Sequence, residues 1–259
     1  MCELFAISAA QPTGAQLSLN TFFQRGGQTG PHKDGWGFGC YQQADAWLFR
    51  DAHSAAASLW APLVQLSAPE STLMMAHIRL ATHGDVQLAN TQPFSSLSQG
   101  KRWLFSHNGH VPRYQPESSQ LAFEPLGSTD SEQVFAATLH KLAALQSLPE
   151  AEQFQQLEQF LVAIAQHGPL NLLFSNGDTL FAFSNKRTQA DKSLSAPGMH
   201  LLKRHCQAGA NNDTAVAYAQ QSVVLFASVP LSQESWQPML ADRLYVAREG
   251  RLIHAPNLS

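Results

Sequence analysis

A cysteine at position 2 runs almost directly into Leu4 to Ser8, a short apolar segment of strand length. A buried strand this early ties the N-terminal end into the fold instead of leaving it to fray. Any architecture for the chain must therefore hold position 2 close to its interior. The later segments sort by period. Thr13 to Gln24, with Leu17, Phe22 and Phe23 ahead of Gly26-Gly27, reads as a helix. Gly26 to Gly39 reads as a glycine-rich loop, Tyr41 to Arg50 as a strand, and Ser54 to Leu66 as an alanine-rich helix stopped near Pro69. Thr72 to Ile78 and Trp103 to His107 have strand length. Ser131 to Leu145 and Glu150 to Gln166 carry apolar residues at helical spacing, the first behind the N-cap candidates Ser128, Thr129 and Asp130. Asn176-Gly177 marks a hairpin between Asn171 to Ser175 and Thr179 to Ser184. Glu249-Gly250 marks another between Leu244 to Arg248 and Arg251 to His254, after a strand at Ser222 to Ser228. The polar stretch from Asn185 to Ala217 has few periodic signals and stays unassigned. Strands and helices come in runs instead of strict alternation, which predicts an α+β fold.

Composition removes several functions. A net charge of −3 without a Lys/Arg run gives no footprint for nucleic acid. No apolar run approaches the ~18–20 residues of a membrane span, and the start lacks the basic and apolar regions of a secretory signal. Three scattered cysteines, Cys2, Cys40 and Cys206, make no disulfide framework. The expectation is a cytoplasmic protein with no membrane partner. Eleven histidines raise the question of a metal, but neither HExxH nor zinc-type Cys/His spacing occurs. No metal and no cofactor are expected. Cys40 and Cys206 read as buried small apolar residues.

The chemistry-bearing residues begin with Cys2. A small residue behind Met1 favours removal of the initiator, which would join a thiol and a free α-amine in one residue. That amine has an ordinary pKa of ~7.7–8.0, suited to a general base near neutral pH. Arg79, in His77-Ile78-Arg79-Leu80-Ala81-Thr82-His83-Gly84, closes a strand where its fork can take a carboxylate or a structural ion pair. Asn108-Gly109, closing the next strand, suits a plain turn or an oxyanion hole. Asp130 sits in Ser128-Thr129-Asp130-Ser131-Glu132, which serves equally as a helix cap or as a partner for a substrate ammonium. The glycine-rich segment with Arg25, Asp34, Gly35 and Trp36 lacks a phosphate-binding pattern and reads as a wall of a pocket.

In this order, and with Asn90-Thr91-Gln92-Pro93-Phe94 between them, the blocks resemble the class II glutamine amidotransferases, most of all their stand-alone bacterial members. The motifs span about the first 135 residues, and the whole chain, 1–259, is expected to form one domain. The resemblance implies an N-terminal nucleophile hydrolase fold, a four-layer αββα sandwich of two largely antiparallel sheets. It implies Cys2 as nucleophile, its amine as base, and Asn108 and Gly109 as oxyanion hole. Arg79 would hold the α-carboxylate of L-glutamine and Asp130 the ammonium, with Thr82 and His107 as further substrate-binding candidates. The ammonia would go to a separate synthase subunit. Hydrolysis of γ-glutamyl peptides or amides, or an inactive binding or regulatory subunit that retains Met1, stand as alternatives. A homo-oligomer is compatible with each.

Overall fold

The computed structural model describes residues 1–67, 69–206 and 221–256. Its strands are β1 (Glu3–Thr13), β2 (Trp36–Gln42), β3 (Asp45–Asp51), β4 (Ser71–Ile78), β5 (Phe94–Ser98), β6 (Lys101–His107), β7 (Leu172–Ser175) and β8 (Thr179–Ser184). They continue with β9 (Arg187–Thr188), β10 (Leu194–Ser195), β11 (His200–Cys206), β12 (Gln221–Ala227), β13 (Gln237–Pro238), β14 (Arg243–Arg248) and β15 (Arg251–His254). The helices are α1 (Gln16–Gln24), α2 (Trp60–Ser67), α3 (Asp130–Leu145) and α4 (Glu150–Ala165).

Two antiparallel sheets carry the fold, one in the order β13-β11-β12-β1-β4-β2-β3 and the other β15-β14-β8-β7-β6-β5. Successive side chains of a strand point to opposite faces, and here both faces are apolar. Leu4 and Ala6 of β1 face the second sheet, where they meet Leu104, Leu173, Ala182 and Tyr245. Phe5, Ile7 and Ala9 of the same strand face outward, onto Leu19, Phe22 and Phe23 of α1 and Val64 of α2. The second sheet repeats this. Trp103, Phe105, Phe174 and Phe183 turn outward onto Val134, Phe135 and Leu139 of α3 and Leu157 and Leu161 of α4. The result is four layers, helices outside and sheets inside. A continuous apolar run is what a strand buried on both faces requires.

Three expectations need correction. The segment read as a glycine-rich loop becomes strand at Trp36, because Gly37 and Gly39 sit in β2 and not beyond it. A Cβ on Gly37 would lie 2.2 Å from the Gln92 carbonyl oxygen, so glycine lets that strand press against Gln92-Pro93. Tyr41 to Arg50 is likewise not one strand but the end of β2, a turn with Gln43 at φ 56°, and β3. The helix expected over Ser54 to Leu66 is split into a short 3-10 turn, Ala55–Ala57, and α2, with Ser58 Oγ accepting the Trp60 N–H at the junction. The unassigned stretch from Asn185 holds β9, β10 and β11. Its part from 207 on, and the side chain of Cys206, lie outside the described residues; Cys40 is buried. Among the described residues no helix is long and apolar enough to cross a membrane.

Candidate active site

Pairing of Glu3 with Ile78 brings the start of β1 beside the end of β4, so Cys2 lies next to the segment that follows Ile78. Its Sγ stands 3.7 Å from the Leu80 carbonyl oxygen. Burial pushes the thiol above its ordinary pKa; the Leu80 bond, the N-terminal charge and Arg79 act the other way but do not prevail. A thiol held this way is protonated at neutral pH and needs a base to become a nucleophile.

The backbone around Arg79 is fixed by the end of the glycine-rich segment. Arg79 N donates to Gly35 O at 2.8 Å, Asp34 N donates to Arg79 O at 3.1 Å, and Asp34 Oδ2 accepts from Ala81 N at 2.8 Å. The Arg79 side chain is 3% exposed and donates to three backbone carbonyls, those of Asp85, His83 and Gly84, at 2.9–3.2 Å. It takes part in no ion pair among the described residues. A buried guanidinium without a carboxylate keeps an uncompensated charge, and an anionic ligand would offset it.

Asn108 and Gly109 follow β6. Asn108 N donates to Asn171 O, and Asn171 Nδ2 donates back to Asn108 O, at 2.9 and 2.8 Å. A Cβ on Gly109 would lie 2.0 Å from the Pro169 carbonyl oxygen and 2.4 Å from His107 Nε2, so only glycine fits there. Asp130 opens α3, and its Oδ2 accepts from Val111 N at 2.6 Å and lies 3.1 Å from His110 Nδ1. The His110 ring stacks on that of His83, centroids 3.7 Å apart. Helix capping does not account for this segment, since Thr129 at the N-cap makes no side-chain capping bond and its buried hydroxyl has no partner among the described residues.

His107 has both ring nitrogens engaged. Nε2 faces the Pro169 carbonyl at 3.4 Å and Nδ1 the Ser131 hydroxyl at 2.9 Å. A carbonyl only accepts, so Nε2 carries the proton and Nδ1 accepts. Burial holds this ring below the ordinary histidine pKa, and neither nitrogen is free for substrate in this arrangement. His77 is fully buried, has no partner at either nitrogen among the described residues and is pushed down to about 3 by burial and then by Arg79.

The folded state therefore keeps His77 neutral while the unfolded chain takes up a proton below the ordinary value of ~6.5. The stability this contributes is complete above about pH 6.5 and is lost as pH falls from there toward 3. Urea unfolding between pH 6 and 4 should lose about 1.4 kcal/mol per pH unit through this group alone. His77→Asn should flatten the slope by that amount; equal slopes would remove His77 from the account.

One cavity gathers Cys2, Arg79, Thr82, His107, Gly109, Thr129 and Asp130. A second, about 470 Å³, adjoins it at Cys2 and is lined by Met1, Leu80, Thr82, Gly109, Pro112, Arg113, His167, Pro169, Thr188 and Leu194, among others. The two cavities share Cys2, Leu80, Thr82, Gly109 and His110, and Met1 lines the second, its carbonyl oxygen 2.9 Å from His32 Nε2 and its Sδ 3.0 Å from Thr188 N. The expected pocket wall is elsewhere. Trp36 is wholly buried in the first sheet's outer core, Arg25 pairs with Glu3 and the carbonyls of Val229 and Pro230, and Asp34 and Gly35 brace Arg79. Segments 109–113, 167–169 and the β9–β10 hairpin form the wall instead.

Several bracing residues gave no sequence signal of that role. Asn90 donates to Asp85 O and accepts from Ser128 N, tying the Arg79 segment to the α3 entry. Gln92 Oε1 accepts from His107 N. Asn90 and Gln92 lie in the Asn-Thr-Gln-Pro-Phe block, which could have pointed to them; Asn171 and Ser228 lie in no block at all. Among the described residues no group of three or more His, Cys, Asp or Glu could hold a metal ion.

Comparison with known proteins identifies the family. The family described as "Glutamine amidotransferases class-II" matches residues 1–258. The chain is 33% identical over 255 residues to "Putative glutamine amidotransferase YafJ" of Escherichia coli (strain K12), covering 93% of this chain and 94% of that one. It is 31% identical over 242 residues to a "Putative glutamine amidotransferase" of Haemophilus influenzae, covering 92% and 81%. A crystal structure of a "predicted glutamine amidotransferase from Pseudomonas aeruginosa PA01" superposes with a TM-score of 0.71 at 28% identity, over 98% of this chain and all of that one. The glutamine phosphoribosylpyrophosphate amidotransferase of B. subtilis, at 14% identity and a TM-score of 0.60, shares the fold over 97% of this chain and 48% of its own. The chain belongs to the class II glutamine amidotransferases.

Proposed function

We propose that the chain, with Met1 removed, hydrolyses the side-chain amide of L-glutamine through Cys2. The observation that carries this reading is the single cavity joining the thiol, a buried guanidinium without an ion-pair partner, and the Asp130 carboxylate. A free amino acid offers one carboxylate and one ammonium. Arg79 would take the first and Asp130, aided by Thr129 Oγ1, the second, which leaves the side chain directed at Cys2. The Cys2 thiol gives its proton to the α-amine as sulfur bonds to the amide carbon. Asn108 and Gly109 N–H stabilise the oxyanion that forms. The C–N bond then breaks, ammonia leaves with the proton from the amine, and a γ-glutamyl thioester remains. Water adds to the thioester carbon and gives a proton to the amine. The C–S bond breaks, releasing glutamate and restoring the thiol. Ammonia released in this way would supply a separate synthase subunit.

A second reading concerns the leaving group. The cavity of about 470 Å³ offers far more room than departing ammonia needs, and Leu80, Pro112, Pro169 and Leu194 make much of its wall apolar. A γ-glutamyl amide with an apolar amine would use that space. Glutamate release from L-glutamine and from γ-glutamyl-p-nitroanilide, measured on protein whose mass excludes Met1, separates the two. Higher kcat/KM on glutamine supports the glutaminase, and higher kcat/KM on the anilide supports the second reading. Asp130→Asn should raise KM for either roughly tenfold to a hundredfold. No turnover of either compound by the processed protein would overturn both and favour a binding subunit.

A further inference from the structure

Ser228, the residue after β12, is wholly buried between the two halves of the site. Its Oγ accepts the N–H of Leu4 at 3.0 Å, and its own N–H donates to Leu4 O at 3.0 Å. It is thus fastened to the strand that bears Cys2, two residues from the nucleophile. On its other side the same Oγ lies 3.3 Å from Asn108 Nδ2, at the end of the opposite sheet. One hydroxyl therefore bridges the nucleophile strand and the candidate oxyanion residue across a sequence separation of 120.

With the amide in this orientation, hydrogen bonding at the bridge is incomplete. With Nδ2 donating to Ser228, that oxygen accepts two bonds and its own proton has no acceptor among the described hydrogen bonds. Asn108 Oδ1 is meanwhile buried with no partner among the described residues. An unpartnered buried carbonyl carries a penalty of roughly 1–3 kcal/mol. Amide nitrogen and oxygen are nearly the same size and are assigned from the hydrogen-bond network. Turning the Asn108 amide by half a turn pairs the Ser228 proton with the amide carbonyl and leaves the NH2 unpaired, free for a ligand oxygen. Ser228 Oγ still accepts from Leu4 N, its proton goes to Asn108 Oδ1, and the NH2 moves to the place where Oδ1 now stands unpartnered.

We infer that Ser228 is a positioning residue that holds the Asn108 amide with its NH2 turned away from the bridge and toward the developing oxyanion. The inference rests on the reading of Asn108 as an oxyanion donor. An amide free to rotate would present its carbonyl oxygen to the oxyanion for part of the time, where it repels. The Ser228 hydroxyl removes that state. It also sets the separation between donor and nucleophile, since Leu4 and Asn108 share the one oxygen.

The test is a double-mutant cycle on processed protein with L-glutamine as substrate. Asn108→Ala should lower kcat roughly 10²–10³-fold, as loss of one oxyanion donor does. Ser228→Ala should lower kcat by roughly 10-fold or more with KM held within about twofold, because the groups that hold the amino acid are untouched. The double variant should be no slower than Asn108→Ala alone, since Ser228 acts only through that amide. A purely structural role would make the two losses multiply or would raise KM, and either result overturns the inference. Should Ser228→Ala fail to fold, Ser228→Cys keeps the volume with a weak S–H donor and should still lower kcat at constant KM. Wild-type kcat in that variant would overturn the inference. An Asn108→Ala protein of full activity would instead remove the oxyanion reading itself. A slow Asn108→Ala beside an unimpaired Ser228→Ala removes the Ser228 role alone.

Discussion

Adding a single residue in front of Cys2 should silence the enzyme as completely as Cys2→Ala. In both proteins kcat on glutamine is expected to fall by roughly 10⁴-fold or more, the scale seen when a covalent nucleophile is lost. The two variants remove different halves of one device. Cys2→Ala removes sulfur. The extension keeps sulfur but turns the α-amine into an amide nitrogen, which cannot accept a proton. Burial raises the Cys2 thiol above its ordinary pKa, so the thiolate is scarce near neutral pH unless a base is at hand. Among the described residues the buried histidines His77 and His107 offer no replacement. His77 is held at about 3 with both nitrogens unpartnered, and His107 spends both nitrogens on Ser131 and Pro169. Rates from the two variants, with thermal melts to show that both fold, give the check. An extended protein that keeps even a tenth of wild-type kcat would mean that another group takes the proton.

Replacing Arg79 with lysine should raise KM for glutamine by roughly 10²-fold while kcat changes less. Charge is kept, so the loss measures geometry. The guanidinium already holds the carbonyls of His83, Gly84 and Asp85, and its planar fork can do so while still meeting a carboxylate. An ammonium has three donors and no fixed plane, and cannot serve the loop and a ligand in the same way. A loosened 83–85 loop would also disturb the His83–His110 stack beside Asp130. Steady-state kinetics decide: unchanged KM in the lysine variant would place the glutamine carboxylate elsewhere.

The parts of this fold that could be read from the chain are those whose signal is local. The helices at 130–145 and 150–165 announce themselves by apolar spacing, and the hairpins at Gly177 and Gly250 by turn residues at positive φ. Strand β2 was hidden because two of its first four residues are glycines, present to admit Gln92 and Leu104 at close range. The turn after it uses Gln43 in the left-handed region, which no sequence rule flags. Strand β11, His-Leu-Leu-Lys-Arg-His-Cys, mixes charge into a stretch buried at Leu201 and Leu202, so its period was blurred. The candidate site divides in the same way. Cys2, Arg79, Asn108, Gly109 and Asp130 stand in compact blocks and were legible. Asn171, Ser228, Thr188 and Leu194 reach the site only through pairing of distant strands and carry no motif. The pocket wall differs from the expected one for that reason: the glycine-rich segment braces Arg79 from behind, while segments 109–113 and 167–169 and the β9–β10 hairpin come together on the open side.

The most direct measurement of the central claim is the site of covalent labelling by 6-diazo-5-oxo-L-norleucine, a glutamine analogue that alkylates the nucleophile of its own binding site. Intact mass and peptide mapping on active, processed protein should show one adduct, on Cys2, formed in step with loss of activity and slowed by glutamine. Label on Cys40 or Cys206 instead, or complete inactivation with Cys2 unmodified, would contradict the account.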